Sequence, residues 1–139
     1  MYLLDTNTVS EPTRPRPNEG VMDWLDTHSI EDLYLSVITL GEIERGILQH
    51  PDPLRRAKLQ GWYTAQLLPE YTGRVVDITH PVVTEWARIV HAARAAGTPP
   101  DPIDALIAAT ASAHGLIVVT RNIKDFAPLG VPTLDIWTS

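Results

Sequence analysis

With 139 residues, 44 % of them hydrophobic and 20 % charged, the chain can bury one sizeable core and has a globular rather than disordered or fibrous composition. It contains no cysteine, which excludes disulfides and thiolate metal sites, and no apolar run nears the roughly 20 residues that cross a bilayer. A net charge of −6 argues against a polyanionic partner unless carboxylates gather around a divalent cation, which reverses the local sign and receives a phosphate.

Taken in chain order, Tyr2 to Leu4 predicts a short strand that ends at Asp5-Thr6-Asn7. This N-terminus lacks the basic flank and long apolar stretch of a signal peptide, so a cytoplasmic location is expected. Val21, Trp24 and Leu25 fall on one face of a predicted helix from Asn18 to His28. Leu33 to Val37 predicts a second strand, followed by Thr39-Leu40-Gly41-Glu42 and a helix from about Leu40 to Gln49 with the stripe Ile43, Ile47, Leu48. Pro53 suits the first turn of the next helix, which runs to about Leu68. Val83, Trp86, Ala87, Val90 and Ala93 have helical spacing between Pro81 and Ala96, where Gly97 and Pro99-Pro100 stop the helix. Pro102 opens a helix that reaches His114, with Gly115 as its stop signal. Its alanines make it slender enough to lie close to a neighbour. Leu116 to Val119 predicts a third strand ending at Thr120-Arg121-Asn122, and Val131 to Ile136 a last one.

Strands that alternate with helices in this way imply one α/β domain over residues 1–139, with a short, mainly parallel central sheet flanked by helices on both sides. Ligands in such folds bind at the carboxyl ends of the strands, where the following helices begin. Asp5, Glu42 and Asn122 then share that edge, and Asp104 joins them if its helix starts on the same side. Hard cations such as magnesium and manganese favour oxygen donors and bind through one or two carboxylates together with substrate phosphate.

Each of these residues has a purely structural role open to it. Thr39 with Glu42 reads as a capping box, Asp101-Pro102-Ile103-Asp104 has nearly the same form, Asn122-Ile123-Lys124-Asp125 repeats it, and Asp5 could cap a turn over Thr6 to Glu11. Capping and metal binding both place acids at helix N-termini, so local pattern leaves the choice open. The five histidines, His28, His50, His80, His91 and His114, show no ligand pairing and read as surface or helix-end residues. Trp24, Trp62 and Trp86 lie on apolar stripes and read as core or dimer-interface residues. Arg14, Arg16 and Arg121 are the cations that could contact a phosphate backbone, with a solvated loop the equal alternative for the first two.

Four segments in order carry a family likeness. Tyr2-Leu3-Leu4-Asp5-Thr6-Asn7 resembles the opening motif of PIN domains. Ser36 to Gly46 is similar to their second motif, Ile103 to Ala111 to the third, and Val119 to Phe126 to the fourth. Within that family the chain most resembles the VapC and FitB toxins, and Ser10-Glu11-Pro12 and Trp24-Leu25-Asp26 favour the FitB-like branch. The resemblance implies a PIN-like α/β/α fold and an endoribonuclease dependent on Mg2+, with Mn2+ as a substitute. It implies RNA as substrate, a homodimer, a cognate antitoxin as partner, and contact with operator DNA only through that antitoxin.

Carried over by position, Asp5 and Asp104 would hold the metal, Glu42 would complete the acidic site, and Asn122 would occupy a fourth position where many PIN domains have Asp. Asp125 could compensate for that missing charge or cap the short helix ending at Phe126, and Asp101 is a second choice better suited to N-cap. Attack by water in line on phosphorus, without a covalent enzyme intermediate, would leave a 3′-hydroxyl and a 5′-phosphate. Two other readings stay open: a weakly active or non-cleaving subunit of a DNA-binding toxin–antitoxin complex, and a different metal-dependent phosphohydrolase.

Overall fold

Tyr2–Leu4 (β1) is the middle strand of a five-stranded sheet in a computed structural model that describes residues 1–138. The chain continues through α1 (Thr6–Ser10), α2 (Glu19–Thr27), β2 (Leu33–Ser36), α3 (Val37–Gln49) and α4 (Pro53–Trp62). A π-helical turn over Tyr63–Leu67 runs on into α5 (Leu68–Glu70). Then come β3 (Val75–Val76), α6 (His80–Ala95), α7 (Pro102–His114), β4 (Ile117–Val119), α8 (Ile123–Phe126) and β5 (Thr133–Leu134).

The strand order is β3-β2-β1-β4-β5, and every pairing is parallel. A parallel sheet must be covered on both faces, and alternate side chains of each strand divide between the two covers. Leu3 and Val118 point into one core with Val82, Ile89, Ile107 and Phe126, so α6, α7 and α8 cover that face. Leu4 and Val119 point into the other with Val9, Ile43, Ile47, Tyr63 and Leu67, under α1, α3 and the α4–α5 segment. The expected α/β/α layering is therefore present, with the sheet wholly rather than mainly parallel.

Several boundaries differ from the sequence expectation, for local reasons. β3 was not anticipated: two residues are too few to show alternation, and the strand is made by pairing Leu35 with Val75 and Ser36 with Val76. The last strand shortens to two residues. The helix predicted from Leu40 starts at Val37, because Ser36 accepts the Ile38 N–H at 3.1 Å and acts as N-cap. Thr39 is therefore not the cap but a fully buried residue inside the helix. Glu42 moves into the second turn, outside any capping box. The helix from Pro53 continues past Leu68 to Glu70 through the π turn. At α7 the expectation holds, with Pro102 at the first position and Gly115 closing the helix at φ 64°.

Candidate active site

The parallel sheet brings the ends of β1, β2 and β4 to one edge, and three of the expected residues meet there. Asp5 follows β1, Glu42 lies in α3 after β2, and Asn122 follows β4. Asp104, in the first turn of α7, faces the same place: the charges of Asp101, Asp5, Asp125 and Glu42 all act on its carboxyl.

Asp5 is nearly buried, at 6 % exposure, yet both carboxylate oxygens have donors. Its Oδ1 accepts the Thr6 N–H at 2.9 Å, which is also how it caps α1. Its Oδ2 accepts the Thr120 hydroxyl at 2.8 Å and the Asn7 amide at 3.3 Å. Burial raises the Asp5 pKa and the hydrogen bonds oppose that rise without cancelling it. Glu42 is tied to the same motif, since the Thr6 hydroxyl donates to its Oε1 at 2.6 Å. Asp-Thr-Asn thus places a carboxylate, orients a second and braces the first.

Thr120 links the far side. Fully buried, it donates to Asp5 and accepts the Asn122 N–H at 3.0 Å. Asn7 Oδ1 accepts the Arg121 N–H at 3.4 Å, so the turn after β4 is fastened to the turn after β1. Neither threonine was singled out as a site residue from the sequence. Their signal was only a hydroxyl at a strand end, Thr6 next to Asp5 and Thr120 directly after β4.

Asp104 has no comparable support. Its pKa is pushed up to about 7, first by burial and then by the charges of Asp101, Asp5, Asp125 and Glu42, and no hydrogen bond opposes the rise. The N-terminus of α7 favours its ionised form by about 0.3–1 kcal/mol, which is under one pKa unit and is outweighed. Asp101 is the expected N-cap of α7, its Oδ1 accepting the Ile103 and Asp104 N–H groups at 2.9 and 3.1 Å.

Two expectations in the fourth motif need correction. Asn122 stands at the N-cap position of α8 but its side chain makes no cap bond; the Asp125 N–H instead reaches the Asn122 carbonyl at 3.0 Å. Asp125 is no cap either. It is the third residue of α8, and its charge raises both Asp5 and Asp104.

A divalent cation suits this donor set. Neighbouring carboxylates raise the pKa of Asp104, and Asp125 raises that of Asp5, a repulsion that a cation would relieve. Among the described residues no three of His, Asp and Glu stand close enough to clasp an ion directly. Magnesium keeps several waters and takes only one or two protein carboxylates. The histidines stay outside the site: His28 is the C-cap of α2, stacked on Trp24 at 4.0 Å, and His50 the C-cap of α3. His80 begins α6, His114 ends α7 and His91 is exposed. Trp24 and Trp62 pack against the core on the α3 side, whereas Trp86 is 37 % exposed on α6.

Comparison with known proteins agrees with this geometry. The PIN domain family model matches residues 2–129. Toxin FitB of Neisseria gonorrhoeae is 38 % identical over 137 residues, covering 99 % of each chain. VapC ribonuclease Y4jK of Sinorhizobium fredii is 35 % identical over 137 residues, covering 99 % of this chain and 98 % of its own. Among solved structures, FitAB bound to an IR36 DNA fragment superposes with a TM-score of 0.93 at 37 % identity, covering 100 % of this chain and 97 % of that one.

Proposed function

The chain belongs to the PIN-domain family, and on that premise we propose that it is the toxin of a toxin–antitoxin pair, an Mg2+-dependent endoribonuclease acting through Asp5, Glu42, Asp104 and the turn at Asn122. The observation that carries this reading is the placement of Asp5 and Glu42 at the carboxyl edge of the sheet, joined through Thr6, with Asp104 raised first by burial and then by the charges of Asp101, Asp5, Asp125 and Glu42. The relatives named a toxin and a ribonuclease support it, and the DNA-bound FitAB structure supports an antitoxin partner through which operator DNA is reached. A single domain, a cytoplasmic location and a homodimer complete the proposal; no helix of the described residues is long and apolar enough to cross a membrane.

Asp5 and Asp104 would hold the ion, with Mn2+ as a substitute. Bound there, it would neutralise charge on the phosphate oxygens and lower the pKa of the water it carries. Asp5 contributes an oriented carboxylate, locked by Thr6, Asn7 and Thr120. Asp104 would contribute one whose pKa burial and the neighbouring acids raise to about 7. Glu42, held by the Thr6 hydroxyl, would complete the acidic site, directly or by orienting the ion's water. Attack on phosphorus leaves a 3′-hydroxyl and a 5′-phosphate.

The test is to incubate purified protein with total RNA and with nucleotide monophosphates, with Mg2+ or with chelator. RNA fragments bearing 5′-phosphates, formed only with Mg2+, are the expected result. Turnover of monophosphates with RNA untouched would assign a different phosphohydrolase. An inert free protein that binds operator DNA with its antitoxin would assign the dormant-subunit reading.

A further inference from the structure

An acidic protein that handles RNA needs cations aimed at the backbone, and most of its arginines are already engaged. Arg14 pairs with the buried Glu11 at 3.4 Å, and Arg88 with Glu85 at 2.6 Å. Arg55 donates to the Thr13 carbonyl, Arg56 to His50 at 3.0 and 3.1 Å, and Arg74 to Leu33 at 3.1 Å. Arg121 differs. It is exposed, and among the described residues no carboxylate pairs with it. It stands between Thr120, which holds Asp5, and Asn122, and its own N–H is fixed by Asn7.

The guanidinium lies over the Trp137 ring, 6.0 Å from its centroid. That platform is built rather than incidental. The Trp137 N–H donates to Asp135 Oδ1 at 2.9 Å, and the Asn18 side chain grips the next residue at both backbone groups, accepting the Thr138 N–H at 3.0 Å and donating to its carbonyl at 2.9 Å. Gly20 allows this approach, since a Cβ there would come within 2.6 Å of the Ile136 carbonyl oxygen. The C-terminal strap is thus fastened to the start of α2 and presents an indole face to Arg121. A guanidinium laid on a ring keeps the donors along its edge free, and those donors match two oxygens of a phosphate.

We propose that Arg121, braced on Trp137, binds a backbone phosphate of the RNA beside the scissile one; this rests on the ribonuclease reading. The experiment measures Mg2+-dependent cleavage kinetics of a short single-stranded RNA, and its binding by fluorescence anisotropy with Ca2+ in place of Mg2+. R121A is expected to raise KM roughly five- to tenfold with kcat within about twofold. It should also flatten the dependence of log affinity on log salt by about 0.7, the loss of one contact to a single strand. R121K should recover the salt slope but only part of the affinity. W137L should raise KM by a smaller factor, about two- to threefold, and the double variant should be no worse than R121A. Because Arg121 is exposed and its side chain holds nothing else in place, R121A decides the matter even if W137L fails to fold. Wild-type KM and salt slope in R121A, with wild-type protein active, would overturn this inference alone. Wild-type protein that neither binds nor cuts RNA would overturn the ribonuclease reading and this inference with it.

Discussion

The two carboxylates that would share the ion sit in opposite environments. Asp5 is nearly buried and fully supplied with donors, on a strand end fastened to two neighbouring turns. Asp104 is half-buried on a helix N-terminus, surrounded by like charge, and holds its proton to about pH 7. The first is a fixed part of the scaffold. The second is raised by burial and by like charge, a cost that binding a cation would relieve. On the proposed reading, folding completes only one side of the site, and the ion would complete the other.

Removing either acid breaks the comparison most severely. Asp5→Asn and Asp104→Asn should each lower Mg2+-dependent RNA cleavage by at least about a hundredfold, measured as initial rate at saturating Mg2+. Their effects on the metal-free protein should diverge. Asp5→Asn sets an amide N–H2 against the donors from Thr120 and Asn7 and should cost about 1–3 kcal/mol in denaturant unfolding. Asp104→Asn loses no hydrogen bond and sheds the repulsion, so it should fold at least as stably as wild type near pH 8.

A smaller effect is expected at Thr120. Thr120→Val keeps the shape but removes the donor to Asp5 and the acceptor for the Asn122 N–H. Affinity for Mn2+, read by calorimetry, should fall roughly 10–100-fold, as when outer supports of a ligand are lost, while Thr120→Ser should retain most of it.

The smallest effect is in stability against pH. A carboxyl whose folded pKa is raised disfavours the folded state once it ionises. The penalty is absent below the ordinary value of 3.8, grows as pH rises, and is complete above about 7. Metal-free wild type should lose about 1 kcal/mol relative to Asp104→Asn across that window, a figure discounted for solvent screening at a half-exposed group. Thermal unfolding of both proteins from pH 4 to 8 checks it. Parallel curves would mean that Asp104 ionises normally.

Much of this site was legible in the sequence because a parallel sheet converts "end of strand" into "same edge". Asp5, Glu42 and Asn122 met for that reason. The alanine-rich α7 packs on α6 and brings Asp104 to them, which strand order alone left open. What escaped were features decided by competition or by tertiary pairing. Ser36 outcompeted Thr39 as N-cap because it is the last paired residue of β2, where the chain leaves the sheet, and that removed the capping role assigned to Glu42. β3 exists only through its pairing with β2. Asp125 reaches the site because α8 turns immediately after β4. The Thr120 bridge and the Trp137 strap join residues more than a hundred positions apart, a distance at which spacing carries no information.

Proton release on metal binding tests the asymmetry of the two carboxylates most directly. Mg2+ titrations at pH 6, in buffers of different ionisation enthalpy, should show close to one proton released per ion bound, falling towards none at pH 8.5 and at either pH in Asp104→Asn. Binding at pH 6 with no proton released, or with the same release in Asp104→Asn, would contradict the account.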